Sequence, residues 1–288
     1  MQNWVYSRDG KFYIRKEAAD KYGNISCDYY DIYRKGDKTW DETRHSKFQN
    51  GSKLLGDVFR VKCQGSGQAY SNLHAGVAYN QSLHERKDQT NLPKLNMDVY
   101  IYLLDSLSRI NFIRKLPHFY KTITEQMGGI VMEGFNIVGD GTPWTMIPVC
   151  TGHFQTELHE ARKRFKNATF VDDWPLIFKD YKNAGYVTSY AEEQPSFSFF
   201  SYKLKGFKDP PVDHYLRRYE QAVSWVRKEH NAYCLGDTPR SITLCNFWKE
   251  QQIMYGPSNK RTFSMLFSSE TSHDDYNYVQ VNDKYGRK

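Results

Sequence analysis

The run VYIYLL at 99–104 carries no charged or small polar side chain. A strand of that length without polar alternation must be buried on both faces, as in a parallel sheet covered by helices on either side. The following segments keep to that plan. PHFYKTITEQMGG (117–129) reads as a helix, with Pro117 in its first turn and glycines at its stop. IVMEGFNIV (130–138) reads as a strand, WPLIFKDYKNAG (174–185) as a helix and YVTSYA (186–191) as a strand. VDHYLRRYEQAVSWVRKEH (212–230) has the spacing of a long amphipathic helix, TLCNFWKEQQIMY (243–255) reads as another, and TFSMLF (262–267) as a strand. Strands alternating with helices predict an α/β fold with a mostly parallel sheet and helices on both faces.

The first part of the chain differs. Short runs such as KFYIR and VFRVKC stand among Tyr, Lys, Gly and Asp. Residues 1–92 are expected to form a small β-rich N-terminal lobe, and 93–288 the α/β core. DQTNLPKLN (88–96) is the expected linker, with Pro93 outside regular structure.

Composition narrows the function classes. With 39% hydrophobic and 25% charged residues, the chain can build a packed core. The net charge of +7 comes from scattered Lys and Arg, without the run that a nucleic-acid arm needs. Nucleic acid is therefore not an expected partner, whereas an anionic ester substrate suits the charge. No stretch approaches the roughly 18 apolar residues of a membrane span. The start, MQNWVYSRDGKFYIRK, lacks the apolar centre of a signal peptide. Four glycosylation sequons begin at Asn24, Asn50, Asn80 and Asn167 and point to the secretory pathway. The five Cys form no C-x-x-C pair. Bridges Cys27–Cys63 and Cys234–Cys245, with Cys150 alone and buried, are the simplest oxidised arrangement, and five free thiols the reduced one.

Several residues are placed for chemistry. In open α/β sheets, ligands bind beyond the carboxyl ends of the strands. Asp105 directly follows VYIYLL, where a carboxylate can hold a cation or cap a helix. Thr142 lies in GDGTP. There glycines permit a tight turn, and Pro143 suits the first turn of a helix shortened or kinked by Pro148. Thr142 then stands at a helix N-terminus, which attracts oxyanions, with plain capping by Thr142 or Asp140 as the simpler role. Glu270 and His273, followed by Asp274 and Asp275, open from the TFSMLF strand as a metal-ligand cluster or a polar loop. His153, His159 and His214 read as surface histidines, and Asp172 and Asp173 as helix caps. Glu192 and Glu193 lie at a strand end without an evident partner.

DSLSR (105–109), RKLP (114–117), GFNIVGDGTPWTMIPVCTG (134–152) and DDWPLIFKDYKNAGYVTSYAEE (172–193) together resemble a family of animal proteins. It is the domain of unknown function 229 family, placed in the alkaline phosphatase/sulfatase-like superfamily. The resemblance is close over 98–193. It continues more loosely through GFKDPPVDHY, CLGD and the SHDD segment, and ISCDYY and FRVKCQ fit the family's front lobe.

The resemblance implies an alkaline phosphatase-like fold and a secreted, metal-dependent phosphoester hydrolase. Thr142 would be the nucleophile, and Asp105, Thr142, Glu270 and His273 would hold divalent metal, zinc first. TPWTMIPVCTG is similar to the nucleophile segment of nucleotide pyrophosphatase/phosphodiesterases, which also starts with Thr and ends in Thr-Gly. Two departures matter. Sulfatases of the superfamily use Cys in a C-x-P-x-R setting, and here Thr142 stands directly before Pro143, so sulfatase chemistry is not expected. The superfamily also carries an Asp-His-Gly ligand segment near its far end, and no such tripeptide occurs here. On that ground the core is expected to be incomplete at its C-terminal side and the chain itself inactive. The alternative is a non-catalytic secreted binding or matrix protein that retains the fold.

Overall fold

The computed structural model describes residues 2–90, 96–230 and 233–283. Strand β1 (Val5–Arg8) forms a hairpin with β2 (Lys11–Ile14), and helix α1 (Lys16–Tyr22) follows. Strands β3 (Ser26–Arg34), β4 (Trp40–His45), β5 (Val58–Gly65) and β6 (Gln68–Ala75) make an antiparallel sheet in the order β4-β3-β5-β6. Helix α2 (Gln81–His84) leads toward the second sheet. The expected linker lies partly outside the described residues, Pro93 included.

The second sheet is parallel throughout. Its strands are β7 (Val99–Leu104), β8 (Val187–Glu192), β9 (His214–Tyr215) and a later strand, Thr262–Ser268. A hairpin of β10 (Cys234–Leu235) and β11 (Thr238–Pro239) intervenes, so the late strand is β12, and the sheet order is β7-β12-β8-β9. Its helices are α3 (Arg109–Lys115), α4 (Pro117–Lys121), α5 (Thr142–Thr151), α6 (Ile177–Asn183), α7 (Arg217–His230) and α8 (Arg240–Tyr255).

The two-residue period of β12 shows why both faces need cover. Phe263, Met265 and Phe267 enter one core with Met146, Ile147, Cys150 and Phe178 of α5 and α6. Leu266 enters another with Val223 of α7 and with Leu244 and Phe247 of α8. That second core also takes in Ile32, Val58 and Leu73, so α7 and α8 fill the space between the two sheets. A third core, around Trp4, Phe12, Tyr29 and Phe59, closes the far face of the antiparallel sheet.

Three expectations are corrected. The run 130–138 forms no strand; Ile130, Met132, Phe135 and Ile137 are exposed. Glycines at 128, 129, 134, 139 and 141 surround and interrupt it, and ordering such backbone costs more conformational entropy than this run recovers. The 117–129 helix ends as α4 and passes into a π-helical turn at Thr122–Gln126. Within 212–230, His214 and Tyr215 pair with Ser189 and Tyr190 of β8 before α7 begins.

Cys27 and Cys63 face each other across β3 and β5, with Cα atoms 4.0 Å apart, and are disulfide-bonded. Cys150 is buried and free. The expected second bridge is absent: Cys234 and Cys245 are both free and exposed. Secondary structure separates them, since Cys234 pairs with Pro239 in the small hairpin and Cys245 lies inside α8. Asn24, Asn50, Asn80 and Asn167 are all exposed.

Candidate functional site

Asp105 sits where β7 ends, and its N–H donates to the Ser268 carbonyl of neighbouring β12 at 2.9 Å. Its carboxylate does not cap α3; Ser108 does, accepting from the Asn111 N–H at 3.2 Å. Thr142 opens α5 after Gly141, whose φ of 91° belongs to a conformation that glycine adopts without strain. A Cβ at Gly139 would come within 2.7 Å of Trp144 Cβ, so the turn also needs its second glycine. No side chain caps this helix, so the simpler roles for Thr142 and Asp140 do not apply. The Thr142 hydroxyl instead donates to Asp105 Oδ1 at 3.3 Å. Burial of Met146, Ile147 and Cys150 in the core beneath holds α5 in that position.

The other two expected ligands are engaged elsewhere. The Glu270 side chain is only 6% exposed and is ion-paired with Arg240 of α8. His273 Nδ1 lies 2.8 Å from Asp274 Oδ1, and both residues line a cleft with Gln194, Pro195, Ser196 and Phe197. Among the described residues, no group of three or more His, Cys, Asp or Glu is arranged to hold a metal ion. Asp105 and Thr142 supply one carboxylate and one hydroxyl at one place, and these side chains do not fit a two-ion cage.

Two acids without an assigned partner in the sequence lie at the same sheet edge. Glu193 Oε2 accepts from the Ser268 hydroxyl and from the N–H groups of Ser269 and Glu270 at 2.9–3.0 Å, fixing the turn after β12. Burial raises its carboxyl above the usual range. Glu192 accepts from the Tyr190 hydroxyl and from the Phe199 N–H at 2.7 Å. Burial, with the Asp105 carboxylate adding to it, pushes Glu192 up to about 7. The Glu-Glu pair ending a buried strand was the available signal, but sequence supplies no partner for it.

His214 is a further correction. It is buried, not a surface residue, with Nδ1 2.9 Å from Asp57 Oδ2 and Nε2 3.2 Å from the Tyr255 hydroxyl. Burial opposes its charged form, but Asp57 outweighs that and raises its pKa. His153 and His159 are exposed, as expected. Asp172 caps no helix; it accepts from the N–H groups of Lys208 and Asp209 at 2.8 Å.

These groups set a pH dependence. Burial also raises half-buried Glu250 to about 7. A carboxyl raised above its unfolded value stabilises fully below about 4.5, and that contribution is lost as pH rises through about 7. His214, raised by Asp57, loses its contribution in the same direction above its unfolded value. Half-buried His74, lowered to about 3, works oppositely, and as its contribution reaches its full value only above about pH 6.5 it offsets part of the fall. Unfolding free energy should therefore fall by about 2–3 kcal/mol between pH 6 and 8, with solvent screening trimming the share of Glu250. Urea titrations of wild type and Glu192→Gln at the two pH values check this. The variant should lose about half the slope, and a wild type that stabilises with rising pH would refute the assignment.

Fold and site together define a mixed α/β protein with a parallel and an antiparallel sheet, whose parallel sheet carries a hydroxyl–carboxylate pair at its carboxyl edge. No helix among the described residues is long and apolar enough to cross a membrane. The chain belongs to the family described as protein of unknown function (DUF229), which matches it over residues 2–287. Neither a curated protein nor a solved structure matches it.

Proposed function

We propose that this chain carries the nucleophile region of an alkaline phosphatase/sulfatase-like fold, and that the family hydrolyses phosphate esters in the secretory pathway. The observation that carries this reading is the 3.3 Å hydrogen bond from Thr142 to Asp105, at a strand end and a helix N-terminus, with neither side chain spent on capping. The N–H groups of the first turn of α5 suit the oxygens of a phosphoryl group. Thr142 Oγ attacks phosphorus, and its proton passes to Asp105. The bond to the leaving alcohol breaks as that oxygen takes a proton from water, and a second water hydrolyses the Thr142 phosphoester. The Cys27–Cys63 bridge and four exposed sequon asparagines support the secretory assignment.

A carboxylate alone activates an aliphatic hydroxyl weakly, and enzymes of this class rely on bound divalent metal, zinc first, to do more. With Glu270 held by Arg240, turnover by these residues alone is expected to be slow or nil. The same ion pair favours the second reading, a non-catalytic binding protein that retains the fold.

The test combines aryl phosphate mono- and diesters, with and without zinc, and mass spectrometry of the 142–151 peptide. The expected result is a phosphate adduct on Thr142 that Thr142→Ala abolishes and Asp105→Asn reduces by about tenfold or more. Ester turnover unaffected by Thr142→Ala would sink the nucleophile assignment. Absence of both adduct and turnover would favour the binding protein.

A further inference from the structure

A cleft lined by arginines lies at the β9 edge of the parallel sheet. It is lined by Arg34 at the end of β3, by Asp213 and Tyr215 around β9, and by Arg217, Arg218 and Gln221 in the first turns of α7. Its charges are unevenly matched. Asp213 is neutralised by Arg86, in a two-pronged contact at 2.6 and 2.7 Å, and by Lys182 at 3.7 Å. Arg217 is paired with Asp37 at 3.3 Å and donates to Ser198 Oγ at 2.8 Å. Among the described residues, Arg34 has only backbone partners, the carbonyls of Phe207 and Lys208 at 2.7 and 2.8 Å. Arg218 has no hydrogen bond or ion pair among the described residues; the carboxylates of Asp31 and Asp57 act on it through space without being bonded to it. The Nε–H groups of both Arg34 and Arg218 are fully buried and unsatisfied.

A buried guanidinium N–H without an acceptor costs free energy, and two around one cleft call for an acceptor common to both. The guanidinium fork fits the oxygens of a tetrahedral oxyanion, and the N-terminal end of the fourteen-residue helix α7 adds partial positive charge. A neutral ligand would give the two unsatisfied Nε–H groups a weaker acceptor than a charged oxygen. We propose that the cleft between Arg34, Arg218 and the start of α7 binds a phosphate or sulfate group, separately from the Asp105–Thr142 pair. Free anion and ester share this chemistry, because only the charged group enters among the arginines.

The experiment follows thermal unfolding of the full chain in inorganic phosphate, inorganic sulfate or glycerol 2-phosphate, against sodium chloride at equal ionic strength. At ten times the dissociation constant, a bound anion should raise the melting temperature by about 3 °C. Arg218→Met and Arg34→Met should each weaken binding by about tenfold or more. A stronger response to glycerol 2-phosphate than to both inorganic ions identifies an ester ligand, and the reverse a free anion. If the arginine variants fail to fold, phenylglyoxal labelling of the wild type replaces them, and phosphate should protect Arg34 and Arg218. Equal responses to chloride and to the oxyanions, or a response that survives both substitutions, or unprotected arginines, overturns the proposal. A response lost only in Thr142→Ala would assign the anion to the first site instead.

Discussion

Arg240→Met is expected to destabilise the fold by about 3–5 kcal/mol, the usual cost of stripping one partner from a buried ion pair. Arg240 and Glu270 have side chains only 4% and 6% exposed, so water cannot replace the lost partner. Glu193 makes the loss asymmetric. Its buried carboxylate is also stabilised by the Arg240 charge. Removing the arginine takes its positive charge from both acids, whereas Glu270→Gln leaves Arg240 facing Glu193. The arginine variant should therefore be the more damaged, and Arg240→Met combined with Glu270→Leu should recover part of the loss. Urea denaturation of the three proteins decides the matter. A cost under about 1 kcal/mol for Arg240→Met would mean that the pair is solvated in solution, leaving Glu270 available as a metal ligand.

Replacing Cys27 and Cys63 together with Ala should cost about 4 kcal/mol, since the bridge closes a loop across a sequence separation of 36. Both sulfurs are buried in the core around Tyr29 and Phe59, so part of the loss is packing. Reduction of the wild type should reproduce the loss, whereas Cys234→Ser with Cys245→Ser should be nearly neutral. The result that contradicts this is a reductant effect that disappears with Cys234 and Cys245 instead.

How much of this was legible beforehand depends on the range of the interaction involved. VYIYLL, YVTSYA and TFSMLF became β7, β8 and β12, because apolar runs of that length have few other ways to be buried. The helices at 177–183 and 240–255 likewise follow local patterns. The 130–138 run has the same apolar character and failed as a strand. Its glycines were visible in the sequence, but the entropy they cost outweighed a pattern read from hydrophobicity alone.

Site residues divide along the same line. Asp105 and Thr142 each stand at the end of a locally recognisable element, so their approach at one sheet edge followed from topology. Glu270 and His273 look equally suitable in one dimension, yet a cation from α8, adjoining it in space, claims Glu270. Arg218 gave only the weak signal of a doubled arginine just after a short strand, and nothing local reveals that its guanidinium lacks an acceptor. His214 is the clearest case. Its partners Asp57 and Tyr255 lie 157 and 41 residues away.

Sequence alone therefore determined β7, β8 and β12, the helices between them, the parallel core and the two residues placed by it, because hydrophobic period, glycine and proline act within a few residues. Tertiary structure alone decided the strand order, with β12 inserted between β7 and β8, and the partner of every buried charge. Charge pairing depends on desolvation and on distances of a few ångströms between remote segments, quantities that exist only once the chain has packed.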